Sequence, residues 1–119
     1  MKEIIKLVDD TNITFFIGTN RGDNYNIIEL ANSNDLWFHA NDDPSCHVIA
    51  VMPLSVNKRT KQKIITQGCL LCKQNTNALK RISSPIEFVI SRIDNLIKIE
   101  EHIGAIMFRD DSRVSYVSI

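Results

Sequence analysis

The chain has 119 residues, of which 44% are hydrophobic and 24% charged, enough apolar side chains for one packed core and too few residues for two. Fourteen bases balance fourteen acids, an ordinary globular composition that argues against disorder, collagen and coiled coil. Three cysteines are an odd number and too few for a disulfide scaffold. Acidic residues in MKEIIKLVDD stand where a signal peptide would be apolar, and no run approaches a membrane span, so the expectation is a soluble, cytoplasmic protein in a reducing compartment.

In chain order, Ile4–Val8 and Ile13–Gly18 are β-branched runs separated by Asp9, Asp10 and Asn12, which predicts two strands joined by a turn. Arg21 to Asn26 is loop-like, and Ile27, Ile28, Leu30 and Ala31 then fit one face of a short helix. Leu36–Ala40 and Cys46–Met52, flanking the turn cluster Asn41-Asp42-Asp43-Pro44, predict a β-hairpin. Pro53 ends its second strand, and Asn57 is placed to cap a long helix from Lys58 to Asn75 with an apolar and small face of Ile64, Ile65, Gly68, Cys69, Leu71 and Cys72. Ile86–Ser91, Leu96–Ile99, Ala105–Arg109 and Val114–Ile119 read as strands, with Asp110 and Asp111 as the tight turn of a closing hairpin. No internal repeat, linker or low-complexity run interrupts the pattern. The expected fold is a single α+β domain over residues 1–119, a mostly antiparallel sheet with a central β-hairpin, one long basic helix and one short helix.

The neutral total hides a segregation of charge. Residues 1–43 carry three bases against eight acids and residues 87–119 four against six, while residues 44–86 carry Lys58, Arg59, Lys61, Lys63, Lys73, Lys80 and Arg81 and no acid. An unpaired basic block attracts phosphate backbones, because each neutralised phosphate releases condensed counterions. The competing explanation is a solvated helix face whose charges pair with acids from the flanking segments. Bases in the first turns of the long helix oppose its dipole unless an anion sits nearby.

Period-2 geometry puts Asp35, Trp37 and His39 on one face of their strand, and His47 begins the partner strand. If that face is open, Trp37 can stack on a base or sugar and His39 can donate to a phosphate. The alternative is a buried Trp whose neighbouring histidines are satisfied by backbone carbonyls or Asp35. An Asp35–His39 pair has the residue types of an oriented general base, but Ser45 lacks the glycine-flanked elbow of a nucleophile. Cys69-Leu-Leu-Cys72 has the spacing of half a zinc site or of a redox motif, and zinc would need two further ligands from Cys46, His39, His47 and His102; helix packing beside Gly68 is the preferred reading, and no metal or cofactor is expected. The glycines form no phosphate-cradling motif.

Asn34-Asp35-Leu36-Trp37-Phe38-His39, followed after a turn by Pro44-Ser45-Cys46-His47-Val48-Ile49, resembles the RNA-binding domain of the NFACT proteins, the domain of unknown function 814, whose pattern is D-[LIV]-W-F-H, a P-G-S-H turn, an apolar strand and a helix with small residues. Gly18, Asn20 and Asn24 look like its upstream positions, Gly68, Cys69 and Cys72 fall where its helix carries alanines, and Ile103 to Phe108 is similar to its G-x-V-x-[YF] strand. The resemblance runs from about Ile13 to Ile119. It departs at Ser45, where the family often has Gly. Full-length members, which include the nuclear export mediator factor and bacterial fibronectin-binding relatives, act in ribosome-associated quality control; 119 residues have no room for their other domains.

The resemblance implies a non-catalytic RNA-binding module for transfer or ribosomal RNA, using Asp35, Trp37, His39 and His47 together with the seven bases. A protein-interaction adaptor docking on a ribosome or another assembly is the second expectation, and an RNA-processing enzyme using His39 and His47 the third.

Overall fold

The computed structural model describes all residues from Met1 to Ile119. Eight strands and two helices follow one another as β1 (Lys2–Val8), β2 (Thr11–Gly18), α1 (Arg21–Leu30), β3 (Leu36–Ala40), β4 (His47–Ala50), α2 (Lys58–Gln74), β5 (Glu87–Arg92), β6 (Leu96–Lys98), β7 (Ile106–Phe108) and β8 (Ser115–Ser118). Six strands form an antiparallel sheet in the order β1-β2-β4-β3-β5-β8, and β6 and β7 pair separately. This is the expected α+β domain. No helix is long and apolar enough to cross a membrane.

The first hairpin closes over Asp9 and Asp10, both in the left-handed region (φ 46° and 67°), the geometry of a two-residue turn whose twist matches the strands it joins. The hairpin of β3 and β4 occupies the middle of the sheet, with Trp37 opposite Ile49 and Phe38 opposite Val48. Two expectations are corrected. Arg21 to Asn26 is not a loop but the first half of α1, started by Asn20, whose side chain accepts from the Asp23 amide at 2.9 Å. Its inward residues there include the polar Asn24, so no apolar period announces it. Asp110 and Asp111 do not turn a hairpin either: Asp110 caps a single 3-10 turn over Asp111–Arg113, and the chain leaves β7 in the small sheet to place β8 beside β5.

The alternation of β3 feeds two cores. Leu36, Phe38 and Ala40 join Phe15, Ile17, Val48, Phe88 and Ile90 under α2. Trp37, Ile49 and Val89, on the opposite face, pack with Ile27 and Ile28 of α1 and Leu96 of β6. Both faces of the central strands are therefore covered.

α2 lies on the first face with Ile64, Ile65, Gly68, Cys69, Leu71 and Cys72 inward, as its pattern implies. Gly68 allows the closest approach, since a Cβ there would overlap the Phe38 ring. One of the bases at the start of α2, Lys63, meets the anion that their position calls for. Asp9, in the first turn of the sheet, accepts from Thr60 Oγ1 at 2.9 Å and pairs with Lys63 Nζ at 2.6 Å. The Lys63 hydrogen bond, then that from Thr60, holds the Asp9 carboxyl below the usual carboxylate range.

Gly68→Ala is expected to destabilise the fold by about 1–3 kcal/mol, because neither the α2 backbone nor the buried Phe38 ring can yield without disturbing its neighbours. Urea unfolding of the variant beside the unaltered chain measures this, and equal stability would mean that helix and strand are not in such close contact.

Candidate nucleic-acid interface

The residues expected to form one binding surface separate into three places. Lys58, Arg59, Lys61 and Lys63 lie in the first turns of α2, whereas Lys73 sits in its last turn and Lys80 and Arg81 in the turns that follow. A helix of 17 residues is about 25 Å long, so the two basic groups stand at opposite ends of the domain. His39 and His47 belong to the end where α2 finishes. Asp35 and Trp37 are inside.

At the α2 N-terminal end, Lys58 and Lys61, one turn apart, line a cleft of about 300 Å3 together with Gln62, Arg92, Arg113 and Ser115. The two arginines come from β5 and from the turn before β8 and share one carboxylate, Asp94, at 2.9 and 2.6 Å. Four cations thus converge from three segments against a single acid. Lys58, Arg59 and Lys61 form no ion pair, while Lys63 is committed to Asp9. Pairing with flanking acids therefore accounts for one base of this group and leaves three free for a ligand. Arg92 and Arg113 lie outside the acid-free segment, each two residues from an acid, and the sheet brings them to α2, through the pairing of β5 with β3 for the first and of β8 with β5 for the second.

At the other end, Arg21, Asn24, His39, Ser45, His47 and His102 line a cleft of about 480 Å3. The loop of residues 99–105 forms one wall, held by Tyr25, whose hydroxyl donates to the Ile99 carbonyl at 2.7 Å. Asn24 is 9% exposed, and its Oδ1, tucked over Gly18 where any Cβ would overlap it, has no hydrogen-bond partner.

Trp37 holds this cleft from beneath. It is 3% exposed, so it is not available to stack on a base, and the expectation of an open aromatic face is corrected: α1 and the β6–β7 pair cover it. Its indole N–H donates to His47 Nδ1 at 3.0 Å, and its ring stacks on His39 with centroids 5.7 Å apart. His47 begins the strand that pairs with that of His39, and the two rings meet edge to face at 5.0 Å. Because His47 Nδ1 accepts, its proton is on Nε2. Burial, and secondarily the neighbouring His39, pushes the His47 pKa down to about 3. Burial also lowers that of His39, against the opposing effect of the Ala40 carbonyl that its Nδ1 faces at 2.5 Å. The cleft therefore presents two neutral imidazoles with fixed tautomers. His39 spends its Nδ1 proton on that carbonyl, not on a phosphate.

Asp35 is corrected in the same way. It is 1% exposed, and its carboxylate accepts from the backbone amides of Asn32 (2.8 Å) and Met52 (2.9 Å), tying the entry to β3 to the exit from β4. It orients no histidine. Cys69 and Cys72 are buried under the sheet, and no group of three or more His, Cys, Asp or Glu side chains is placed to hold a metal ion.

The histidines set a pH dependence whose sign is fixed. A buried imidazole that resists protonation lends stability above its unfolded pKa, near 6.5, and this is lost as the pH falls towards the folded value. Between neutrality and about two pH units below 6.5, His47 alone is expected to remove roughly 2–3 kcal/mol of folding stability. His47→Asn keeps an acceptor for the indole and has nothing to titrate, so urea unfolding of this variant should lose most of that slope; an unchanged slope would place the acid sensitivity elsewhere.

Over its whole length the chain is similar in structure to the C-terminal part of the fibronectin/fibrinogen-binding protein from Streptococcus suis, with a TM-score of 0.79 and 21% sequence identity. The match covers 100% of this chain and 46% of that one, so the chain spans about half the length of its structural relative. No family model and no curated protein matches the sequence. At this identity the likeness shows a shared fold.

Proposed function

We propose that the chain is a non-catalytic RNA-binding module that takes hold of phosphates at the cleft between α2 and the β5–β8 edge. The observation that carries this reading is the convergence of Lys58, Lys61, Arg92 and Arg113 on one cleft with Asp94 as the only acid among them. Arginine and lysine gathered from separate segments suit a phosphate backbone, which supplies affinity without reading sequence. The resemblance of the sequence to the NFACT RNA-binding domain supports RNA over DNA, and with it transfer or ribosomal RNA, a link to ribosome-associated quality control and a cytoplasmic location. The neutral, hydrogen-bonded state of His39 and His47 supports binding over catalysis, since an acid–base pair on RNA needs one imidazole poised to take a proton and another to give one.

A second reading, a protein-binding adaptor, is favoured by one observation: the structural relative is named for binding fibronectin and fibrinogen. Salt separates the two.

Fluorescence anisotropy with labelled transfer RNA, over a salt series, tests the proposal on the unaltered chain and on Lys58→Gln/Lys61→Gln. RNA binding should weaken steeply as salt rises, and the double variant should reduce the slope of log affinity against log salt by about 2, near one unit for each phosphate contact removed. Equal binding by both proteins removes the cleft from the interface. Absence of RNA binding at low salt, with salt-insensitive capture of fibronectin or fibrinogen, would instead establish the adaptor.

A further inference from the structure

The cysteines hold chemistry that RNA binding does not use. Cys46 precedes β4 and lines the rim of a polar cleft formed with Thr19, Asn20, Ser45, Asn75 and Thr76. Cys72 lies in the last turns of α2 beneath it, and the two sulfurs are 4.0 Å apart. Each thiol also approaches the other residue's carbonyl oxygen at 3.4 Å, and Cys72 Sγ lies 3.4 Å from Ser45 Oγ. The Cys46 amide donates to Thr76 Oγ1 at 3.1 Å, which fixes the loop over the helix end.

We propose that Cys46 and Cys72 are a peroxide-reactive thiol pair that closes reversibly to a disulfide, with Cys46 the attacking sulfur and Cys72 the resolving one. Access decides the order, because Cys46 is half-buried at a cleft and Cys72 is fully buried. The hydrogen bond from Cys72 favours the Cys46 thiolate and draws its pKa below the ordinary thiol range. The same pairing, with burial, pushes Cys72 up and keeps its proton in place. Cys69, the third cysteine, is raised to about 12 by burial and stays inert.

The step balances. The Cys46 thiolate attacks one oxygen of a peroxide; an S–O bond forms, the O–O bond breaks, and the departing oxygen leaves with a proton as water or an alcohol. The Cys72 sulfur then attacks Cys46 Sγ, the S–O bond breaks, and the hydroxyl leaves as water with the Cys72 proton. Two thiols are oxidised by two electrons and the peroxide is reduced by two. The sulfurs must close by about 2 Å to reach bonding distance; Cys72 is set within a packed helix, so the step requires the short loop of Pro44, Ser45 and Cys46 to shift and to loosen the Cys46–Thr76 hydrogen bond.

The test uses the unaltered chain near neutral pH with one equivalent of hydrogen peroxide, followed by thiol alkylation, digestion without reductant and mass spectrometry. The expected result is a Cys46–Cys72 linked peptide, two thiols lost per chain, Cys69 alkylated only after unfolding, and full reversal by dithiothreitol. Before oxidation, iodoacetamide should label Cys46 at least about tenfold faster than the other two. Cys72→Ala should stop at a sulfenic acid on Cys46 that dimedone captures. A Cys46 sulfinic acid with Cys72 still a free thiol, a Cys46–Cys46 dimer, or no loss of thiols would each overturn the proposal, and these results on the unaltered chain stand whether or not the variant folds.

Discussion

Trp37 and Phe38 are neighbours in the chain and belong to different cores, and the domain is organised around that division. Phe38 fills the space above Gly68 and fixes how closely α2 can lie on the sheet, while Trp37 faces α1 and the β6–β7 pair. A five-residue strand buried on both sides has no tolerance for a shift of register, since a slip by one residue would exchange the contents of the two cores. The hydrogen bond from Trp37 to His47 ties the central hairpin across its strands by side chains as well as by backbone. Every surface feature that bears on function is an end or an edge of this frame.

The same arrangement explains why two polar clefts sit at opposite ends of α2. One end gathers cations that strand pairing brings to the helix start, and the other gathers neutral histidines, an asparagine lacking a partner for its oxygen and a thiol pair. Their electrostatic characters differ because their burial differs. Exposed cations remain charged and long-ranged, whereas imidazoles pressed against Trp37 give up their charge and keep only directed hydrogen bonds.

Much of the fold was legible in the sequence. The β3–β4 hairpin declared itself through β-branched and aromatic runs around a turn, and α2 through its capping Asn57 and the spacing of Ile64, Ile65, Gly68 and Cys72. The first half of α1 did not, because Gly22, Asn24 and Asn26 carry no apolar period and the structural signal rests in one cap, Asn20. The burial of Trp37 was equally hidden. Alternating Asp, Trp and His describes a strand face that is wet or covered with equal ease, and the cover comes from segments near Ile27 and Leu96 that no local pattern assigns to it. The basic helix was visible as a run of charge, but the cleft it helps to form was not, since Arg92 and Arg113 stand two residues from Asp94 and Asp111 in the sequence and join Lys58 through the pairing of β5 with β3 and of β8 with β5. The sequence left open whether His39 and His47 meet, since it shows only that His47 begins the partner strand, and their loss of charge follows from a depth that spacing does not encode.

The main sheet is open at both sides, and its β1 edge displays Ile5 and Leu7, 61% and 69% exposed, on a strand whose outer backbone groups have no partner within the sheet. An apolar, unpaired edge is a template on which a like chain can stack and begin an aggregate. Lys6 stands between them on that same strand, with Glu3 and Lys2 before them, and any chain adding there would have to strip water from these charged groups. The colloidal behaviour of the protein is thereby entrusted to a few charges on an edge strand, one of which, Lys2, also donates to Asn75 at the end of α2, and together they keep the chain apart from its own copies.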